Sequence, residues 1–330
     1  MLRKVIFLSL SGLIASNAAA DCTLARGTPT ILSLPAQTIT ISADAVTDLS
    51  NPIATFTTSS LGSAIGYDEC VSGLAAGRAL IGLGEEVATR LYKTNIPGIG
   101  VKLHIYVPDS ATFGYYPINY TLTFSNGENK GTWDWVAGSY YRIRFYKVDD
   151  TLTLSDPTGD IVLDSGTLGY EWLGADSVRP VSLFINQIKI ISTPACTVEN
   201  TKIIDFNTVT PAMVDAGVER NLDFSLTCKT DYGSYSTTAS ITTTTPSSDA
   251  TYIKVTDADG NTDNLGIQIL SNSGSVINVD GSILEKIAST STNSAAKFNW
   301  RAKLINTSTG SSRPQNGTFT AKAEIVLDIN

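Results

Sequence analysis

Along most of the chain apolar and polar residues alternate one for one. Ile39 to Ile41, Val101 to Val107, Tyr120 to Phe124, Tyr141 to Tyr146, Thr151 to Leu154, Val181 to Ile185 and Ile188 to Ile190 all carry this period of two. Such alternation predicts half-buried antiparallel strands. Turn chemistry falls between them, at Ser125-Asn126-Gly127, Asp156-Pro157-Thr158-Gly159 and Asp164-Ser165-Gly166. Thr, Val, Ile and Tyr are plentiful, and long Ala/Glu/Lys/Leu-rich runs are missing. A short helical turn around Leu284-Glu285-Lys286-Ile287 is the one helical expectation. The class predicted is all-β sandwich.

Two stretches break the pattern. At the start, Arg3 and Lys4 precede an apolar run, Val5 to Ile14, which leads to small residues ending at Ala20. A basic end, an apolar core and an A-x-A site predict a secretory signal peptide over residues 1–20. The core is too short for the ~20 residues of a membrane span. The second break is Ser192-Thr193-Pro194-Ala195-Cys196, where alternation stops and a proline stiffens the joint. It predicts two domains, 21–193 and 194–330, each long enough for its own core.

The chain has 330 residues, with 23 Lys+Arg against 31 Asp+Glu and a net charge of −8. An acidic surface argues against a nucleic-acid partner, because little would neutralise a phosphate backbone. The single His, His104, excludes a His-rich zinc site or an HExxH metalloprotease and reads as structural. Export gives the cysteines their meaning. Cys22, Cys70, Cys196 and Cys228 allow three connectivities, and Cys22–Cys70 with Cys196–Cys228 keeps each bridge within one domain. There is no CxxC and no clustered His, so no metal site is expected. Asp257-Ala258-Asp259-Gly260-Asn261 hints at a calcium loop, but its Gly is misplaced and Gln268 stands where a bidentate Glu belongs. A hairpin turn is expected there instead, and no cofactor motif occurs anywhere.

The C-terminal residues carry a resemblance. Cys196-Thr197-Val198 followed by Asp205-Phe206, then Leu222-Asp-Phe224-Ser-Leu226-Thr-Cys228, looks like the opening of a pilin domain. Asp257 to Asn261 followed by Leu265-Gly266-Ile267-Gln268-Ile269 resembles a pilin hairpin. A glycine, Gly317, stands fourteen residues from the end, followed by alternation to Asn330. Nearer the start, Tyr92 to Val101, with Pro97-Gly98, resembles a stretch of fimbrial adhesin N-terminal domains. Together these residues resemble the two-domain tip adhesins of chaperone–usher fimbriae, with type 1 and type 3 adhesins nearest in pattern. One departure is Ile329, where pilins often carry a penultimate Tyr.

That resemblance implies two Ig-like or jelly-roll sandwiches, the second an incomplete pilin fold lacking its last strand. It implies donor-strand complementation: Gly317, Phe319, Ala321, Ala323, Ile325, Leu327, Ile329 and Asn330 would face a groove filled first by a periplasmic chaperone and later by a neighbouring fimbrial subunit. An apolar strand edge with no further strand to cover it would otherwise be an aggregation hazard. An outer-membrane usher is the third implied partner. Cys22 follows the cleavage site almost at once, leaving no arm to donate, so the chain is expected at the fimbrial tip on the cell surface after passage through the periplasm.

The N-terminal domain would then bind a host receptor, usually a glycan. Sugars are held by flat aromatic faces with carboxylates, amides and Arg around their hydroxyls. Trp133-Asp134-Trp135, Tyr140 and Arg142, Tyr115-Tyr116 with Asn119, and Tyr67-Asp68-Glu69 offer those groups; core or edge-strand roles suit the same aromatics. The mannose pocket of the type 1 adhesin is not carried over, because Val71-Ser72-Gly73 does not match its motif. Three rivals remain open on sequence: an adhesin for a matrix protein such as collagen, a non-adhesive minor structural pilin, and a secreted glycoside hydrolase needing only two carboxylates about 5–9.5 Å apart. The reading adopted is a binding protein, not an enzyme.

Overall fold

A computed structural model describes residues 22–198, 201–309 and 313–329. The proposed signal peptide and Asn330 lie outside the described residues. The fold is all-β, in two sets of sheets that share no ladder among the described strands.

The first set holds four sheets. The largest runs in the order Ala54–Thr57, Tyr140–Lys147, Ile99–Val107, Leu91–Lys93, Glu86–Ala88, and Thr112–Tyr115 also pairs with Ile99–Val107. A five-stranded sheet is centred on Gly166–Leu173, and two three-stranded sheets contain Ile65–Val71 and Ile188–Thr193. The alternating residues point where the pattern puts them. Val101, Leu103 and Ile105 meet Tyr141, Ile143 and Phe145 in one core with Leu32, Ile39, Ile65, Leu183 and Ile190. Lys102, His104, Tyr106, Arg142 and Arg144 occupy the opposite face of those two strands.

Four expectations need correction. Val181–Ile185 pairs with Thr30–Leu34, and Ile188–Thr193 with Gln37–Ser42, in parallel; alternation reports which face is buried, not the direction of the neighbour. Thr151 to Leu154 forms no strand. Leu152 and Leu154 are buried as the alternation requires, but the Leu154 N–H donates to Asp231 O at 2.9 Å, in the other set of sheets. The strand expected over Tyr120 to Phe124 is Ile118–Thr121, and Leu122 leaves the ladder to bond Leu74. The expected helical turn at Leu284 is the strand Glu285–Ser291, whose Ile287 and Thr290 suit a pleated ladder with Ser234–Thr242. The α-helix that does form, Pro211–Ala216, has Pro at its start and Thr210 as N-cap, its Oγ1 accepting from Met213 N.

The second set places Ala195–Val198, Val218–Lys229, Ala295–Asn306, Leu265–Leu270 and Ile253–Lys254 in one sheet. Glu285–Ser291, Ser234–Thr242 and Glu324–Ile329 form the other. Phe224, Phe298 and Trp300 knot the core, the two Phe rings stacked at 4.9 Å. The Cys22–Cys70 and Cys196–Cys228 disulfides both form. Asp257 caps a tight turn, its Oδ1 accepting from Asp259 N and Asn261 N.

Candidate functional site

The N-terminal candidate residues divide into two groups. Gly131 to Trp135 pairs with Ile65 to Cys70, which brings Tyr67 and Trp135 edge to face at 6.0 Å, both buried. Trp133 is half-buried against Trp135 and Tyr120. The polar residues of this group are paired at the surface: Asp134 accepts from Arg26 at 2.6 Å, Asp68 lies 3.8 Å from the same guanidinium, and Glu69 meets Lys130 at 2.9 Å. Here the Trp-x-Trp spacing serves packing, and the charges close on each other.

The second group gathers around Ile99–Val107. Thr112–Tyr115 folds back on that strand, laying Phe113 beside Tyr106 and Tyr115 beside His104. On the other side Tyr140 stacks on Tyr106 at 4.9 Å, and the Arg142 guanidinium sits 3.2 Å from the Phe113 ring centroid. Tyr115 is 49% exposed, with Arg90 over its ring at 4.8 Å. Burial, reinforced by Arg142, Arg144 and Lys102, pushes the His104 pKa down to about 4. Tyr116 turns inward and is fully buried, its hydroxyl donating to Glu171 at 2.8 Å, and burial holds that phenol well above its usual range. Asn119 is exposed on a neighbouring sheet, above Gly77 and beside the Trp172 indole nitrogen.

In the second set of sheets one side stands open as a groove of about 790 Å³. Its floor is Leu222, Phe224, Ile241, Ile253, Ile267 and Ile269. One wall is the chain from Phe319 to Leu327, and the other is Val198 with Thr201 to Ile204 and Phe206. Of the C-terminal residues singled out from the sequence, Phe319, Ala321, Ala323, Ile325 and Leu327 line it. Gly317 and Ile329 do not. Gly317 serves the chain path: its φ of 143° excludes most side chains, and a Cβ would stand 2.5 Å from that of Ala258. The wall formed by Val198, Thr201 to Ile204 and Phe206 was the part missed, although Ile203, Ile204 and Phe206 are apolar.

Residues 186–330 match the model of the fimbrial protein family. The whole groove lies inside the matched residues, which also take in Ile188–Thr193. The chain as a whole resembles two-domain tip adhesins of chaperone–usher fimbriae. No curated protein matches it. Among solved structures it is similar to the receptor-binding domain of the adhesin MrkD1P of Klebsiella pneumoniae, at 20% identity over 56% of this chain and 98% of that one, with a TM-score of 0.37. The CupB6 tip adhesin of Pseudomonas aeruginosa aligns at 13% identity over 87% and 88%, TM-score 0.36. The CsuC–CsuE chaperone–tip adhesion subunit complex of Acinetobacter baumannii aligns at 9% identity over 93% and 99%, TM-score 0.42.

Proposed function

We propose that the protein is a fimbrial tip adhesin. Its N-terminal domain, residues 21–193, binds a host-surface receptor, a glycan. Its pilin domain, residues 194–330, is anchored to the fimbria by donor-strand complementation. What supports this is the open apolar groove in the region that matches the fimbrial protein family. A strand edge bordered by Phe319, Ile325 and Leu327 over an apolar floor fits a strand lent from another chain, whose alternate side chains would fill the groove while its backbone pairs with the edge. On this reading a periplasmic chaperone, the usher and the next subunit are its partners in assembly, and the mature protein ends on the cell surface. Binding without turnover is its activity.

The test is co-expression of the full-length chain with its chaperone and extraction of the periplasm. A one-to-one complex is expected, and it should be displaced by a peptide copying the N-terminal extension of the neighbouring subunit. Ile267→Asp, placing a charge on the half-buried groove floor, should abolish both steps. Unchanged capture by that variant would overturn the anchoring mechanism. The receptor arm screens the same complex on glycans and matrix proteins; attachment to matrix protein alone would replace the glycan, and no attachment to either would leave a structural pilin.

A further inference from the structure

The outer face of the sheet built on Ile99–Val107 and Tyr140–Lys147 concentrates positive charge in an acidic protein. Its register sets Arg142 opposite His104 and Arg144 opposite Lys102. His104 is neutral, so the like charges directly across the ladder are Arg144 and Lys102; such a pair destabilises a sheet, and a fold with no use for it would have little reason to keep it. No carboxylate offsets them: among the described residues, none lies within ion-pair distance of Lys102, Arg142 or Arg144. Glu86, on an edge strand of the same sheet, is engaged by the Arg90 backbone N–H at 2.5 Å and by Tyr92 OH at 3.5 Å. Burial, with Arg144 alongside, lowers the pKa of Arg142.

The polar atoms of the cluster are also unfilled. Nε of Arg142, Nε of Arg144 and Nδ1 of His104 are buried without a hydrogen-bond partner, and His104 is only 4% exposed. Native folds normally satisfy such groups, and each exception calls for a reason. Beside them lie the exposed ring of Tyr115 and the stacked pair Tyr106–Tyr140. Planar guanidinium groups suit a carboxylate or sulfate, and phenol rings suit the C–H face of a pyranose.

We propose that this face binds an anionic saccharide. Arg142 and Arg144 take the carboxylate or sulfate, with Lys102 as a third cation, and Tyr115 takes the sugar ring. This rests on the adhesin reading above and adds the charge of its ligand.

The experiment uses full-length protein from the periplasm, immobilised and challenged with polysialic acid, hyaluronan and heparin. Asialo-glycans, chemically desulfated heparin and collagen are the counterparts. Binding to at least one of the three acidic polymers, weakened by salt, is expected; the polymer preferred tells sugar carboxylate from sulfate. R142Q/R144Q should lose about tenfold or more of that binding, as expected for charge-assisted contacts, with thermal stability unchanged or raised because the repulsion is relieved. Lys130→Gln, which removes a cation paired elsewhere with Glu69, should change nothing. Acidic-glycan binding that survives R142Q/R144Q, or attachment only to neutral glycans or collagen, would overturn this proposal and leave the adhesin reading standing. Failure to bind any probe would overturn both.

Discussion

His104 shows how one side chain can be set by its neighbours. It is enclosed by Phe113 and Tyr115 and crossed by the register from Arg142, so it is held neutral where an unfolded His would be protonated. Its pKa falls from 6.5 to about 4. Between those values the unfolded chain binds the extra proton, and acid therefore favours unfolding. Stability from this group should be complete above about pH 6.5 and lost on the way down to pH 4, by up to about 3 kcal/mol before solvent screening. The chain has no other His, so one imidazole NMR resonance reports its midpoint directly, and a midpoint near 6.5 would sink the account. His104→Phe should flatten the same limb of a urea-midpoint-against-pH curve. Asp48, Asp149 and Asp156, held below the usual carboxylate range by side-chain and backbone donors, act only at lower pH. Linear sequence marks Arg142 and Tyr140 as candidates, and period two sets Arg144 on their face, but Lys102 joins them only through a cross-strand register, which no local spacing reveals.

At the scale of elements, alternation located the strands well and their partners poorly. The buried faces of Ile99–Val107 and Tyr140–Lys147 follow from residue order alone. The parallel pairing of Gln37–Ser42 with Ile188–Thr193 joins residues about 150 positions apart, and no turn between them announces it. The helix Pro211–Ala216, capped by Thr210, was not anticipated amid the β-rich composition around it. The groove was legible on its C-terminal wall, where period two is regular, and hidden on the other, where Thr201 to Phe206 has no regular secondary structure. The Cys196–Cys228 bridge clips Ala195–Val198 to the end of Val218–Lys229 across a separation of 32 residues. Replacing both cysteines by Ser should cost about 4 kcal/mol in the chain-entropy account. Chemical denaturation should show the loss as a lowered midpoint.

The whole molecule is two cores joined by a few polar contacts. Ser192 Oγ donates to Asp231 at 2.6 Å, Tyr232 OH accepts from Ser192 N at 2.9 Å, and Leu154 N meets Asp231 O. Asp231 and Ser192 are buried, and Tyr232 packs against the first core, so the joint excludes water. Losing the carboxylate leaves Ser192 without its acceptor, at roughly 1–3 kcal/mol. Asp231→Ala should therefore split a single calorimetric transition into two. A single unshifted transition would mean that the two cores unfold independently of this contact.

The path of the chain through that joint has a mechanical consequence. Ile188–Thr193 runs directly into Ala195–Val198, and its six residues lie in parallel register along Gln37–Ser42. Tension applied between the two sandwiches pulls this strand along its own axis. Its ladder is then sheared, with all its hydrogen bonds loaded together rather than unzipped one after another. The link that carries the load is thereby also the one built to resist it.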